Sequence, residues 1–578
     1  MTGPAAPKDP EKARPFFYIL KDKDVFGERQ KDGTGIQFIY ESDGRLINSA
    51  QITGNVTDKE ELTLLETVEG FGRLVHSIGV SVETDRPEET AEFVFQMYGK
   101  KDLYGGGTNL TASLKCDGME HRIYLSDYRW TEDDHVPGQI KILFAAPERM
   151  GKVSVRLFLN DGYEAPSEEE DLVIDMHSEE YCGMISRSLL QLGNPYRIRK
   201  AIEKSKAGKE VTLAYIGGSI TQGAGAIPIH TECYAYKSFQ LFQNRFSTQN
   251  NVRFIKAGVG GTPSELGMIR FDRDVLREGE RPDIVVIEFA VNDEGDETKG
   301  VCYESLVRKV LKLPWKPAVV LLFSAFANDW NLQERLRPVG DLYDLPMVSI
   351  RDAVTPQFSL KCGEGRILSN NQFFYDIFHP NNTGHTIMAD CLQYLFERCD
   401  AAEPARVGTF VEGMTEEQIM SEKLSGPAVI GADFERIFLL DKKNRYVGAK
   451  IRAGSFTSTD IELQSVEMDG NLTQTPEFPY NWMYDGCRPQ MPGFEMEITC
   501  KSLFLIFKDS GETDVGKANV FVNDVYCMTA DPHKNNWLHC NAVLLFWETE
   551  SRSHKVRIAV TEEDRNKKFT ILGFGYTI

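Results

Sequence analysis

The stretch "LAYIGGSITQGAGA", residues 213–226, combines a short apolar run with a serine set between glycines. The apolar residues predict a buried β-strand, and the glycines that follow allow the backbone to turn sharply. Ser219 therefore stands directly after a strand. A serine hydroxyl is a poor nucleophile without a neighbouring base, so two interpretations stay open. Ser219 either attacks a substrate or caps the helix that follows the turn.

The sequence around this stretch alternates between strand-like and helix-like segments. Short apolar runs predict strands over residues 211–216, 252–257, 284–290, 318–324 and 347–350. Helical segments lie between these runs, and a last helix is expected after Asn382. This alternation predicts β-α-β crossovers and a parallel sheet with helices on both faces. Ligands bind such sheets at the carboxyl ends of the strands.

Polar groups follow two further strands of this predicted sheet. The segment "KAGVGGTPSELG" places Gly258, Gly260 and Gly261 after the second strand, where backbone N–H groups can face an acyl oxyanion. The segment "IVVIEFAVND" ends with Asn292, whose amide can donate to the same oxygen. Each feature alone is also compatible with an ordinary β-α turn.

The segment "YDIFHPNNTGH" brings a carboxylate and an imidazole together before the last helix. A three-residue offset in a loop lets Asp376 hold one nitrogen of His379 while the other nitrogen faces the serine. That orientation suits His379 to accept the serine proton. A satisfied surface histidine is the alternative for this segment. The separate features converge on one edge of the sheet, which favours a catalytic site.

The order Ser219, Gly261, Asn292, Asp376 and His379 resembles the SGNH hydrolase superfamily, also called GDSL esterases. The resemblance covers roughly residues 205–400. It implies a three-layer α/β/α domain of flavodoxin-like type and ester hydrolysis by a Ser-His-Asp triad. It also implies an oxyanion hole made of the Ser219 and Gly261 backbone N–H groups and the Asn292 side chain.

The sequence departs from the family pattern at two positions. Gly218 stands where the family's name has aspartate, as in bacterial carbohydrate-esterase branches. Lys256 stands where asparagine is common, which leaves Gly258 and Gly260 as rivals to Gly261 for the oxyanion role.

The segments on either side of the middle part are β-rich. In "KVSVRLFLNDG", alternating apolar residues and an Asn-Asp-Gly turn are typical of an antiparallel strand, and no strong helical stretch is apparent nearby. The segments "SLFLIFK", "NVFVNDV" and "HKVRIAV" give the same prediction near the C-terminus. We therefore expect a β-sandwich over residues 1–185, the catalytic domain over 186–403 and a second sandwich over 404–578. Flanking sandwiches also resemble the organisation of carbohydrate acetylesterases, and this resemblance implies that both are jelly-roll-like.

Composition narrows the classes of partner. A formal net charge of −21 disfavours nucleic acid and anionic lipid, and no apolar run approaches the length of a membrane helix. The 11 cysteines contain no C-x-x-C pair, and no metal ligand spacing or cofactor fingerprint is present, so we expect no metal and no cofactor. The first twenty residues contain no signal-peptide h-region, which predicts a cytoplasmic protein unless a signal has been removed. The sequence leaves the oligomeric state open.

The serine motif and the family resemblance together predict a serine esterase that removes acetyl groups from a carbohydrate such as xylan or mannan. A lipase, lysophospholipase or acyltransferase using the same triad is one alternative, and a non-catalytic carbohydrate-binding protein is another. Trp330, Trp482 and Trp537 lie in polar, loop-like contexts and are candidates to stack on sugar rings. Partial burial between domains is the alternative for these three residues.

Overall fold

A computed structural model describes the protein over residues 9, 12–39, 45–54, 56, 58–101, 105–166, 171–402, 414–487, 492–535 and 537–578. Sheets occupy the N-terminal region (residues 16–159), the middle region (179–401) and the C-terminal region (416–577). No helix within the described residues has the length and apolar character needed to cross a membrane.

The N-terminal region contains two antiparallel sheets around one hydrophobic core. One sheet has the strand order β1 (Phe16–Phe26), β9 (Met150–Leu159), β4 (Val75–Thr84) and β7 (His121–Tyr124). The other has the order β2 (Glu28–Arg29), β3 (Gly35–Phe38), β8 (Asp134–Phe144), β5 (Thr90–Gly99) and β6 (Asn109–Lys115). Val155 and Leu157 of the first sheet share the core with Phe93 and Ile142 of the second. The alternating pattern therefore predicted the buried faces correctly.

The sequence shows no strong helical stretch among the N-terminal strands, but the structure contains three short helices there. Between β3 and β4 lie α1 (Arg45–Gly54), α2 (Lys59–Leu64) and α3 (Val68–Leu74). Each is short, and Asp58 and Thr67 cap the second and third by accepting backbone N–H groups. Helices of this length present little periodicity and are stabilised by packing, α1 against β1, α3 against β8, and α2 against α3.

The middle region is a three-layer α/β/α structure. Its described sheet has the order β10 (Leu189–Gln191), β15 (Met347–Ser349), β14 (Ala318–Phe323), β13 (Ile284–Glu288), β11 (Val211–Gly217) and β12 (Val252–Gly258). The strands from β11 to β15 are parallel, and β10 is antiparallel to β15. In chain order the parallel strands read 2-1-3-4-5, the order of flavodoxin-like sheets, as the resemblance predicts.

Helices cover both faces of this sheet. They are α4 (Glu179–Ser186), α5 (Tyr196–Lys206), α6 (Ser219–Gln222), α7 (Ile229–Glu232), α8 (Tyr234–Phe246), α9 (Ser264–Phe271), α10 (Val301–Leu311), α11 (Gln333–Tyr343), α12 (Ile350–Phe358), α13 (Asn370–Phe373) and α14 (Asn382–Ala401). Leu213 and Tyr215 point to the core under α5, α8 and α14, whereas Ala214 and Ile216 point to the core under α9 and α10. Both faces of β11 are thus buried, as expected for a central parallel strand.

The C-terminal region begins with α15 (Glu416–Ser425) and is otherwise built of antiparallel strands. They are β16 (Ile437–Leu440), β17 (Ala449–Arg452), β18 (Ser465–Glu467), β19 (Gln474–Pro476), β20 (Trp482–Tyr484), β21 (Phe494–Asp509), β22 (Ala518–Val522), β23 (Val525–Ala530), β24 (His539–Val560) and β25 (Phe569–Thr577). All except the β18–β19 ribbon belong to one continuous sheet in the part of the chain described. The predicted strands near the C-terminus are therefore present, whereas the jelly-roll arrangement stays a prediction.

The long strand β21 joins the C-terminal region to the middle region. Leu503 and Leu505 face the core of the C-terminal region. Phe504 and Ile506, on the opposite face, belong to the hydrophobic core that also contains α9 and α10. Alternate residues of one strand thus enter two cores, which holds the two regions in a defined relation.

A buried arginine stabilises the ends of the two strands nearest the glycine-rich turns. Arg270 donates from Nη2 to the carbonyl oxygen of Gly217 (2.7 Å) and from Nη1 to that of Ala257 (2.6 Å). Nη1 also lies 3.0 Å from Asp274 Oδ2, and the Arg270 side chain is fully buried. The guanidinium therefore connects β11, β12 and the turn after α9.

We predict that Arg270→Met destabilises the protein by about 3–5 kcal/mol, because it leaves buried carbonyls and a buried carboxylate with fewer partners. Equilibrium denaturation monitored by circular dichroism measures the change. Arg245→Met is the matched control, since Arg245 forms an exposed pair with Glu397 at 3.1 Å and should change stability by less than about 1 kcal/mol. Equal effects of the two substitutions would contradict the prediction.

Candidate active site

Ser219 lies at the turn that joins β11 to the short helix α6, of which it is the first residue. The preceding residue, Gly218, packs against the carboxamide of Asn292. A Cβ atom at position 218 would lie 2.2 Å from Asn292 Oδ1. With Asn292 in this position, a larger residue at position 218 would require the carboxamide to move away from Ser219.

Ser219, His379 and Asp376 form a continuous chain of hydrogen bonds. Ser219 Oγ lies 2.9 Å from His379 Nε2, and His379 Nδ1 lies 2.9 Å from Asp376 Oδ2. Asp376 Oδ1 also accepts the backbone N–H groups of Phe378 (2.7 Å) and His379 (2.9 Å). The acceptor-only carboxylate assigns the proton to Nδ1, which leaves Nε2 as the acceptor for the serine hydroxyl. The geometry is thus suited to removing a proton from Ser219.

Donors without a protein partner surround the serine. Among the described residues, the backbone N–H groups of Ser219 and Gly261 and the Nδ2 group of Asn292 have no hydrogen-bond acceptor. Gly260 differs, because its N–H donates to Gln222 Oε1 at 2.8 Å. Gly258 ends β12, where a Cβ atom would lie 1.9 Å from Gln222 N. Of the two neighbouring glycines 260 and 261, Gly261 is therefore the one whose N–H is available to an oxyanion.

A cleft of about 720 Å³ opens beside His379 and Asp376. All three regions line it. The N-terminal region contributes Phe26, Glu28, Arg29, Gln37, Phe38, Ile39 and Glu148, and the C-terminal region contributes Glu467, Leu472 and Gln474. A larger cavity of about 1090 Å³ lies between the turn after α9 and the C-terminal region, and its described lining residues include none of the three hydrogen-bonded residues. The smaller cleft is the candidate active site because His379 and Asp376 line it, although the other cavity is larger.

The three candidate tryptophans occupy different environments. Trp482 is only 5% exposed and packs on Phe494 and Phe574 in the C-terminal core, so the prediction that it stacks on a sugar is wrong. Trp330 is half-buried and stacks on Phe326 with ring centroids 5.5 Å apart. Phe326 in turn contacts Phe378, the neighbour of His379.

Trp537 lies beside the glycine-rich turn and remains accessible. Its side chain is in contact range of Gly261, since a Cβ atom there would be 2.8 Å from Trp537 Cζ2. The residue is 44% exposed, and its ring lies 4.6 Å from that of His539. Trp537 thus offers an open aromatic surface next to the candidate oxyanion site.

Residues of both flanking regions also contact the loops that carry the site. Lys23, on β1, is buried and donates to the carbonyl oxygens of Asn371 (3.3 Å) and Phe374, just before Asp376. Burial lowers the pKa of Lys23 to about 8, although the nearby Asp376 carboxylate opposes this shift. From the C-terminal region, Gln464 and His539 bind the glycine-rich turn.

His385, six residues after His379, is a buried residue of α14. Its Nδ1 accepts the backbone N–H of Tyr234 and its Nε2 donates to the carbonyl oxygen of Ala224, both at 3.1 Å. Burial lowers the pKa of His385 to about 3, so the ring is neutral around pH 7. Its role here is to hold α8 and the turn after Ser219 together.

Glu288 is a buried carboxyl group that the sequence analysis missed. It ends β13, and its Oε2 accepts a hydrogen bond from Thr221 Oγ1 at 3.0 Å, two residues beyond Ser219. Burial raises the pKa of Glu288 to about 7, and the bond from Thr221 partly offsets that shift. An ionisable residue in the apolar run "IVVIEF" was the available signal in the sequence.

A comparison with protein families gives a match within the middle region. Residues 215–387 match the GDSL-like lipase/acylhydrolase family, a span that contains every residue of the predicted motif. This match confirms the predicted resemblance to the SGNH hydrolases. A comparison with curated proteins found no match.

Two solved structures of a two-domain esterase active on acetylated mannans share the fold. One aligns with a TM-score of 0.54 at 23% identity. The other, co-crystallised with mannopentaose, aligns with a TM-score of 0.53 at 24% identity. Each alignment covers 68% of this chain and 98% of the other. At this level of identity the likeness establishes the fold alone.

We predict that Glu288→Gln makes stability less dependent on pH between about 4.5 and 7. A carboxyl whose pKa is raised on folding keeps its proton in the native state across this window, so its contribution to stability is lost as pH rises to 7. Glutamine keeps an acceptor for Thr221 but does not titrate. The variant's unfolding free energy, relative to wild type, should therefore rise by up to about 1.4 kcal/mol per pH unit and then level off above pH 7.

Denaturation curves at half-unit pH steps measure this difference in unfolding free energy. The control is Glu294→Gln, at an exposed position after Asn292, for which the difference from wild type should not change with pH. If the unfolding free energy of Glu288→Gln relative to wild type were also independent of pH, the native carboxyl would already be ionised at pH 5.

Proposed function

We propose that the protein is a serine esterase that removes acetyl groups from carbohydrate. The observation that carries the proposal is the hydrogen-bonded chain from Ser219 through His379 to Asp376 beside a cleft. Such a chain, with unpaired N–H donors around the serine, is the arrangement required for acyl transfer through a covalent intermediate.

In the proposed reaction, Ser219 Oγ attacks the acetyl carbonyl carbon while His379 Nε2 accepts the hydroxyl proton. The carbonyl oxygen becomes an oxyanion and accepts hydrogen bonds from the N–H groups of Ser219 and Gly261 and from Asn292 Nδ2. Each such donor contributes about 3–4 kcal/mol to stabilising the transition state. Asp376 stabilises the imidazolium that forms.

The tetrahedral intermediate then collapses. The bond between the carbonyl carbon and the sugar oxygen breaks, and His379 Nε2 donates its proton to the departing hydroxyl. A water molecule attacks the acetyl-serine, with His379 again accepting the proton, and acetate leaves as Ser219 recovers its hydrogen. In both acylation and deacylation, His379 accepts a proton from the attacking group and then donates it to the leaving group.

The composition of the cleft supports a polar leaving group. Arg29, Glu148, Glu467 and Gln474 line it together with Phe26 and other apolar residues. This mixture can donate and accept hydrogen bonds and pack on a sugar ring, whereas a long acyl chain favours a continuous apolar groove. The aligned two-domain esterase acts on acetylated mannans, which favours the same class of substrate.

A series of p-nitrophenyl esters of increasing acyl length tests the acyl preference. The proposal expects turnover of acetate and a steep decline for longer chains. Faster turnover of octanoate would favour a lipase, and failure to hydrolyse any ester would favour a binding protein. Release of acetate from acetylated mannan, xylan and other glycans then identifies the carbohydrate.

We predict that Ser219→Ala and His379→Ala each lower kcat by at least about 10⁴-fold, because no other group supplies the nucleophile or the proton transfer. Asp376→Asn should cost less than His379→Ala, since it removes orientation and charge but leaves the base in place. Initial rates with p-nitrophenyl acetate measure the losses, and circular dichroism verifies folding. A folded Ser219→Ala variant with a tenth of wild-type activity would refute the assignment.

We also predict that Trp537→Ala lowers turnover of an acetylated oligosaccharide by about 10-fold but changes turnover of p-nitrophenyl acetate by less than 2-fold. Stacking on an exposed aromatic face contributes free energy to binding a ring, which the small aryl ester does not need. Trp547→Ala is the matched control, since Trp547 is 42% exposed on β24 and packs on Phe434. If Trp537→Ala affected both substrates alike, a sugar-stacking role would be excluded.

A further inference from the structure

The glycine-rich turn is held from the C-terminal region on both sides of Gly261. Gln464 Nε2 donates to the carbonyl oxygen of Gly260 at 2.9 Å, and His539 Nε2 donates to the carbonyl oxygen of Gly261, also at 2.9 Å. These donors lie 204 and 278 residues away from their acceptors along the chain. Gly261 has a φ of +70°, a conformation that its neighbours must maintain.

The bond from Gln464 determines where the Gly261 N–H points. The carbonyl of Gly260 and the N–H of Gly261 belong to one planar trans peptide group, so they point in opposite directions. A donor that fixes the carbonyl therefore also fixes the N–H on the other side of the plane. We propose that Gln464 is a positioning residue for ester hydrolysis, which aims the Gly261 N–H at the oxyanion.

The side chain of Gln464 is itself held in one orientation. Its Oε1 accepts the backbone N–H of Cys540 at 3.0 Å, so its Nε2 must face Gly260. Its backbone carbonyl accepts the N–H of Glu477 at 2.8 Å, and the residue is 8% exposed. Because both polar atoms of this buried amide are hydrogen-bonded, the side chain is held in one position. Electrostatic preorganisation of the Gly261 N–H requires such a fixed donor to the Gly260 carbonyl.

The second donor, His539, holds the next peptide group. Burial lowers the pKa of His539, which favours the neutral ring. Its Nδ1 then accepts from Asn535 Nδ2 at 3.1 Å, which assigns the proton to Nε2 and allows the bond to Gly261. Both peptide planes next to Gly261 are thus oriented by the C-terminal region. In the described middle region, Gln222 Oε1 accepts the N–H of Gly260 and Thr262 Oγ1 donates to the carbonyl oxygen of Val259, and neither bond is made to the carbonyl of Gly260 or Gly261.

This inference rests on the proposed esterase function, and its test uses the full chain. Gln464→Met keeps the length of the side chain but removes the donor. We expect kcat/KM for p-nitrophenyl acetate to fall between about 10-fold and 100-fold, less than removal of an oxyanion donor costs. Ki for an aryl trifluoromethyl ketone, which forms an oxyanion on Ser219, should rise by the same factor. Ser502→Ala, which removes a buried hydrogen bond to Thr577 within the C-terminal sheet, should leave both constants unchanged.

Gln464→Glu supplies a second readout within a single folded variant. A protonated carboxyl can still donate to Gly260, whereas a carboxylate cannot. The ratio of variant to wild-type kcat/KM should therefore be highest at low pH and fall as the introduced group ionises. Division by wild type at each pH removes the pH dependence that the two enzymes share.

The outcomes separate the two ideas. If wild type hydrolyses the ester, Ser219→Ala does not, and Gln464→Met matches wild type in both constants, the positioning role is refuted and the proposed function stands. A pH-independent ratio for Gln464→Glu would refute it equally. If wild type hydrolyses no ester, the proposed function fails and the positioning role falls with it.

Discussion

The candidate site depends on the parallel alignment of β11, β12 and β13. Their register pairs Gly217 with Gly258 on one side and with Glu288 on the other, so the three strands end at one level. The turns that follow must therefore meet at the same edge, which brings Ser219, Gly261 and Asn292 together. Arg270 stabilises this edge by binding the carbonyls of the first two strand ends.

This edge is completed by regions far away in the sequence. Lys23 contacts the carbonyls that precede the Asp376–His379 loop, and Gln464 contacts the carbonyl that precedes Gly261. Both are buried polar groups that donate to backbone carbonyls, so their removal takes a hydrogen bond away from those carbonyls as well as loosening a loop. The geometry of the site is thus coupled to the folding of both flanking regions, although every group proposed to touch the reacting atoms lies in the middle region.

The aromatic residues illustrate how weak local context is as a guide to burial. Trp482 and Trp537 both follow polar, turn-like residues in the sequence. Trp482 begins a strand that pairs with β25 and is covered by Phe494 and Phe574. Trp537 precedes β24 and stays open beside Gly261. The difference comes from strand pairing over long separations, which a short sequence window does not contain.

The sequence by itself determined the strands and crossovers of the middle region, the serine after the first strand, and the pairing of Asp376 with His379. These features follow from local periodicity, turn residues and a three-residue spacing, all of which act over short distances along the chain. Only the tertiary structure decided that Gly261 rather than Gly260 has an open N–H, because the Gln222 side chain reaches Gly260 across the fold. The short helices between β3 and β4 and the burial of Trp482 are also visible only in the tertiary structure. The same holds for the hydrogen bonds that Lys23, Gln464 and His539 donate to the loops of the site. Each of these features depends on packing between segments that lie far apart in the sequence.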